Sequence, residues 1–257
     1  MTQAEKATLF RSLHRRGSPL LLYNVWDAGS ASAVADAGAK AIATGSHSVA
    51  AAQGFEDGEE MPLDLVLSSA ARIVAATDLP TSIDFEGAYA ETPDAVKANV
   101  SRLIETGAVG LNFEDQIVGG TGLYDMETQA ARIEAVRAAA VAKGMPFVIN
   151  ARTDLFIQAN ENSDLATVMD EAVARAARYE NAGADCFFVP FLNDLGLISQ
   201  LCDRVNLPVN IMLPDLEADL APLRDAGLSR ISYGPTPYRA AYGAISQSAE
   251  LVLALLE

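Results

Sequence analysis

The chain has 257 residues, half of them hydrophobic, so it can bury a large core, and only 7% are aromatic, so that core is built mainly from aliphatic side chains. Its formal charge of −16 repels nucleic-acid backbones and anionic membrane surfaces alike, which excludes both as partners. Two cysteines, Cys186 and Cys202, make no disulfide framework, and no apolar run approaches the ~20 residues of a membrane span.

The elements follow in chain order. A polar N-terminal helix is expected over about 2–16. The opening MTQAEKATLFRSLHRRG lacks the apolar centre of a signal peptide, so a cytoplasmic location is expected. From residue 20 onward short apolar strands alternate with amphipathic helices. The strands are expected at 20–25, 41–45, 80–86, 109–114, 147–152, 186–191, 208–213 and 230–234. Helices such as LDLVLSSAARIVAAT (63–77) and METQAARIEAVRAAAVAKG (126–144) separate them. One phrase recurs at the joints: DAGAKAIATG, ETGAVGLNFE, NAGADCFFVP and DAGLSRISYG. Each reads as a helix end, a glycine able to take the left-handed conformation that stops the helix, then a strand. A last apolar helix is expected over about 238–257, able to seal the barrel or to pack on a neighbour. Eight strand–helix units with no linker predict one domain over 1–257, a (β/α)8 TIM barrel. A doubly wound open sheet would carry a glycine-rich phosphate fingerprint after its first strand, and WDAGSASAVADAG has none.

The polar residues fall at the C-terminal strand ends, where such barrels keep their chemistry. Strand 1 offers Asn24 and Asp27. Strand 2 ends in Thr44-Gly45-Ser46-His47-Ser48, strand 3 in Asp84-Phe85-Glu86, strand 4 in Asn112-Phe113-Glu114-Asp115, and strand 5 in Arg152-Thr153-Asp154. Asn210 lies on strand 7 and Tyr233 ends strand 8. Alternation puts Asp84 and Glu86 on one face of their strand and Asn112 and Glu114 on one face of the next. Carboxylates converging in a dry site repel and take up protons unless a cation sits among them. Oxygen-only donors select a hard ion, Mg²⁺ with Mn²⁺ as substitute. Arg152 is placed to grip a substrate carboxylate. Asp115 reads as a loop or cap residue, Asp154 as a cap or a partner of Arg152, His14 as a surface residue and Cys186 as core packing.

These strand ends, with Gly54-Phe55-Glu56-Asp57-Gly58 between the second and third strands, resemble the isocitrate lyase/phosphoenolpyruvate mutase superfamily, in its order and at its spacing over roughly residues 18–245. PFLNDLGLISQL, PVNIM and RISYGPTPYRAA resemble its mutase-like branch. The resemblance implies a barrel that binds Mg²⁺ and a small anionic 2-oxo acid, and that breaks a C–C or C–P bond beside an enolate. Carried over position by position, it implies Asp84 as the direct metal ligand. Glu86 and Glu114 would reach the ion directly or through water. Ser46 and the N–H groups at His47 and Ser48 would bind carboxylate, with Asp57 beside the metal and Arg152 on the substrate; Asn210 is expected among the substrate-binding shell. The family commonly exchanges its last helix between subunits, which implies a homodimer or homotetramer. One departure decides the reaction class expected. The stretch Gln116–Tyr124 has no Cys, Lys or His, so the lyase acid and the mutase lysine are both missing. What remains is an electron sink, for which loss of CO₂ from an oxaloacetate-type acid is the first expectation, with water or Tyr124 as the later proton source. Mutase or hydrolase chemistry on phosphonopyruvate, or non-catalytic binding of a 2-oxo acid, are the alternatives. The glycines of 119–122 are expected to form a mobile lid.

Overall fold

The computed structural model describes residues 1–160 and 163–256. Eight strands form one parallel sheet: β1 (Leu20–Leu22), β2 (Ile42–Ala43), β3 (Thr81–Asp84), β4 (Gly110–Glu114), β5 (Val148–Arg152), β6 (Cys186–Val189), β7 (Val209–Met212) and β8 (Arg230–Ser232). Their order is β1-β8-β7-β6-β5-β4-β3-β2. The remaining seam closes through a single parallel bridge between Val25 and Thr44, with the Val25 N–H donating to the Ala43 carbonyl at 2.9 Å. The sheet is therefore a closed (β/α)8 barrel. Asn24 reinforces the seam: its amide donates to the Thr44 carbonyl at 2.7 Å and its Oδ1 accepts from the N–H groups of Tyr233 and Gly234.

All eight expected strands are present, each shorter than its apolar run. The chain stays extended beyond the paired residues, and at the end of β6 it turns out at Phe191, whose φ is +64°. The recurring glycines behave as their position demands. Gly38, Gly107, Gly183 and Gly227 end helices at φ between 90° and 104°, where a side chain would be strained.

The N-terminal helix spans Gln3–Ser12, shorter than the expected 2–16, because the chain leaves it at the Leu13 cap. It plugs the barrel floor. Phe10 is fully buried against Leu20, Leu22, Ala41, Ala43, Val109 and Val148. Gly110 makes room for it, since a Cβ there would lie 3.2 Å from the Phe10 ring. His14 is not the surface residue expected from its polar context. Its ring packs edge-on against Phe10, its Nδ1 meets the Phe10 carbonyl at 2.8 Å and its Nε2 is enclosed. Above this floor the interior is polar: Asn112 Oδ1 accepts from Asn150 and from the fully buried Arg230.

The last helix spans Thr236–Leu253 and continues as a 3₁₀ turn at Ala254–Leu256; Glu257 of the expected 238–257 lies outside the described residues. It does not seal the barrel. Within it only Pro237 is buried, while Ile245, Leu251, Val252 and Leu253 are 60–74% exposed. Tyr238 and Tyr242 stack around Trp26 at its root. Leu21 and Tyr23, at the start of the barrel wall, stay 43% and 39% exposed. No helix among the described residues is long and apolar enough to cross a membrane.

Candidate active site

The acids of β3 and β4 meet at the barrel's C-terminal rim beside the loop that follows β2. Asp84 is held at both ends. Its N–H donates to the Thr44 hydroxyl at 2.8 Å, and its Oδ2 accepts the Ser46 N–H at 3.0 Å. Its Oδ1 is buried and makes no hydrogen bond with the protein. Glu86 sits at φ +49°, which swings its carboxylate toward the 54–60 loop. There Oε2 accepts the N–H groups of Gly58 and Glu59 at 3.0 and 2.9 Å, and Oε1 accepts the Tyr89 hydroxyl at 3.0 Å. Asp57 joins the group from the same loop, near enough to Asp84 for their charges to interact. A small cleft opens here, polar at Thr44, Ser46, Asp84 and Glu86 and apolar at Met61 and Val66.

Burial and mutual repulsion mark these acids. Burial first, then the Asp57 and Asp84 charges, push Glu86 up to about 8. Burial and Asp84 raise Asp57. Burial raises Glu114 well above the carboxylate range against the pull of Arg152. A cation among them would reverse all three shifts.

Arg152 stands on the other side. Its Nη1 meets Glu114 Oε2 at 2.7 Å, and its Nε and Nη2 hold both oxygens of Asp154 at 2.6 and 2.8 Å. Three of the roughly five N–H groups of a guanidinium are engaged, which leaves two for a ligand. Asp154 is thus the Arg152 partner the sequence indicated. Asp115 lies in the loop just past β4, as expected, but it is no exposed cap. It is fully buried, accepts from Arg175, from Tyr179 and from the Asp154 N–H, and locks the base of the site.

Several expectations change. No group of three His, Cys, Asp or Glu residues among those described is spaced to hold an ion, so of the two routes expected for Glu86 and Glu114, direct or through water, the arrangement favours water. The reasons are local: the left-handed backbone at Glu86 turns its carboxylate into the 58–59 N–H pair, and Arg152 draws Glu114 away. The donor set still fits Mg²⁺, which keeps several waters and takes one or two carboxylates directly. Asp84 supplies the open oxygen, and Glu86 and Glu114 are near enough for their charges to interact with it. The expected carboxylate cradle is also partly filled. The Ser46 N–H is spent on Asp84 and the Ser48 N–H on the Gly45 carbonyl at 3.1 Å, so of the three only the His47 N–H stays open. Asn210 lies inside the barrel in register with Phe188 and Arg230, its amide buried without a protein partner. The Tyr124 ring lies over the Arg132 guanidinium, 4.1 Å from its centre, and its hydroxyl makes no bond to the acids. Residues 116–123, where the mobile lid was expected, form a short hairpin, with Ile117 donating to the Gly122 carbonyl at 3.1 Å.

Three participants were not singled out from sequence: Thr44, Glu59 and Tyr89. The acid-rich EDGEE run and the tyrosine that closes SIDFEGAY were the available signals.

A closed barrel with acids and an arginine grouped at one rim defines the class: a TIM-barrel enzyme of the isocitrate lyase/phosphoenolpyruvate mutase type. More narrowly, residues 10–253 match the phosphoenolpyruvate phosphomutase family model, and the chain belongs to that family. A crystal structure from Burkholderia cenocepacia J2315, carrying a provisional phosphonomutase assignment, is 46% identical, covers 97% of this chain and 99% of its own, and superposes with a TM-score of 0.93. The 2-methylisocitrate lyase of Escherichia coli K12 is 30% identical over 206 residues, 78% of this chain and 67% of the lyase. An oxaloacetate decarboxylase of Paraburkholderia xenovorans LB400 is 25% identical over 189 residues, 70% of this chain and 60% of the decarboxylase.

Proposed function

We propose that this chain is a Mg²⁺-dependent lyase that removes CO₂ from a small 2-oxo acid of the oxaloacetate type. The observation that carries the reading is the open, buried Asp84 oxygen beside Asp57 and Glu86, none of the three in an ion pair with a Lys or Arg among the described residues, near an arginine with two N–H groups to spare. When bound, Mg²⁺ would supply Lewis-acid polarisation of the 2-oxo group. Asp84 would hold it, with Glu86 and Glu114 fixing its water ligands. Arg152 and the His47 N–H orient the substrate carboxylate, and Arg152 supplies a local attraction that the global charge of −16 opposes. With the scissile bond to the β-carboxylate held across the carbonyl plane, its electron pair passes into the enolate as CO₂ leaves. Departure of CO₂ needs no acid, which suits a hairpin without Cys, Lys or His. Solvent then protonates the enolate carbon, since the Tyr124 ring is occupied with Arg132. Relatives named as a lyase and a decarboxylase support C–C cleavage.

The test is turnover of oxaloacetate and phosphonopyruvate, each with Mg²⁺ and with chelator. Mg²⁺-dependent pyruvate formation from oxaloacetate, reduced at least about 100-fold in Asp84→Ala, is the expected result. Release of phosphate or phosphoenolpyruvate from phosphonopyruvate alone would favour C–P chemistry, and binding without turnover a non-catalytic role.

The exposed C-terminal helix supports a homo-oligomer, dimer or tetramer. Its apolar residues and the uncovered Leu21 and Tyr23 are surfaces of the kind that a second copy would cover. Removing residues 243–257 should then yield a monomer in sedimentation; an unchanged mass would reject this assembly. Free, buried thiols at Cys186 and Cys202 fit a cytoplasmic enzyme.

A further inference from the structure

Two loops meet beside Asp84, and each carries a glutamate in the left-handed conformation: Glu59 at φ +61° and Glu86 at +49°. The bonds between them are reciprocal. Glu86 Oε2 accepts the consecutive N–H groups of Gly58 and Glu59. The Glu59 carboxylate accepts the Tyr89 N–H at 2.7 Å and lies close against Gly87. Runs of left-handed residues point successive N–H groups to one side and make a concave anion seat. Gly58 and Glu59 form one such seat, at φ +92° and +61°; Ala88 and Tyr89, at +64° and +55°, shape the other. Each glutamate fills the seat made by the other's loop.

Left-handed conformations in Glu, Ala and Tyr persist only where the surroundings over-determine them. Here they do. Asn99 donates to the carbonyls of Ala88 and Tyr89 at 2.9 and 3.1 Å, and Arg132 to those of Gly87 and Ala90 at 2.8 and 3.0 Å. Those bonds hold the carbonyls of the 87–90 turn, and Glu59 holds its Tyr89 N–H. A side chain at Gly87 would press on the Glu59 carboxylate at 3.0 Å, so the fit is close.

We propose that Glu59 is a positioning residue: it clasps the 86–89 turn so that Glu86 stays at the edge of the acid cluster, in reach of the water shell of a cation on Asp84. The metal role rests on the function proposed above; the clasp itself does not. Two arms separate them. The first titrates Mn²⁺ alone into the full-length chain and its variants, following free Mn²⁺ by paramagnetic resonance, with folding checked by circular dichroism. Glu59→Ala should weaken binding about 10-fold, and Glu59→Gln, which keeps an amide oxygen for the Tyr89 N–H, should recover most of the loss. Glu59→Ala within about twofold of the parent, where Asp84→Ala abolishes binding, would overturn the metal role. The second arm is the crystal structure of Glu59→Ala, or of Glu59→Gln should the alanine variant not fold. With alanine, the turn should relax and Glu86 leave the Gly58 and Glu59 N–H groups. With glutamine, its amide oxygen should occupy the place of Glu59 Oε1. An unchanged 86–89 turn in the alanine variant, or a glutamine side chain turned away from an unchanged turn, would overturn the clasp. Absence of Mn²⁺ binding in the parent would instead reject the metal reading and leave the clasp to this second arm.

Discussion

The barrel buries two sets of acids and treats them oppositely. Asp115 is enclosed with Arg175 and Tyr179, and Asp185 is gripped by Arg11 and Arg137 at 2.9 and 2.6 Å. Glu86 is also buried and Asp84 half-buried, with Asp57 more exposed beside them, yet the partners of Asp84 and Glu86 are backbone N–H groups and a hydroxyl, and among the described residues no Lys or Arg forms an ion pair with any of the three. Glu114 stands between the sets, tied to Arg152. The chain evidently can supply guanidinium partners to acids in its interior. Among these four rim acids it supplies Arg152 to Glu114 alone, and the contrast with Asp57, Asp84 and Glu86 is what the proposed cation would account for.

The comparison breaks most visibly under mutation. Asp115→Ala leaves the buried Arg175 with only the half-exposed Glu171 as a charged partner, and should cost about 3 kcal/mol in denaturant unfolding. Asp84→Asn removes a repelling charge from the rim and should instead stabilise the metal-free protein by about 1 kcal/mol. Destabilisation by both would erase the distinction. Mg²⁺ at about a hundredfold excess over its Kd should raise the parent melting temperature by roughly 3–8 °C and leave Asp84→Asn unmoved.

The floor gives a smaller, pH-dependent contrast. Burial first, then the Arg230 charge, hold His14 down at about 3. The unfolded chain therefore takes up a proton near 6.5 that the folded one refuses, and stability falls as pH drops from there toward 3. A decline of about 3 °C in melting temperature between pH 6.5 and 5 should be shallower in His14→Gln; parallel curves would show that His14 is not responsible.

Most of the architecture was legible because strand, helix and glycine recur at a period that local chemistry enforces, as at Gly107 and Gly183. Strand ends were not, since extended backbone continues past the last ladder bond. Within the site, residue types and order were legible and directions were not. Nothing near Glu86 in sequence announces its left-handed φ, and the residues that seat it, Gly58 and Glu59, lie 28 and 27 positions away. Asp115 reads locally as a cap because Arg175 and Tyr179 are 60 and 64 positions distant. His14 follows a polar helix, and only the closure of the barrel floor encloses it.

The most direct test is a crystal soaked with Mn²⁺ and oxalate, a planar mimic of a 2-oxo acid's enolate. An anomalous peak at bonding distance from Asp84 Oδ1, with oxalate between it and Arg152, is the predicted result. A refined structure with no ion at Asp84, or with Oδ1 taken by a donor of the protein itself, would contradict the account.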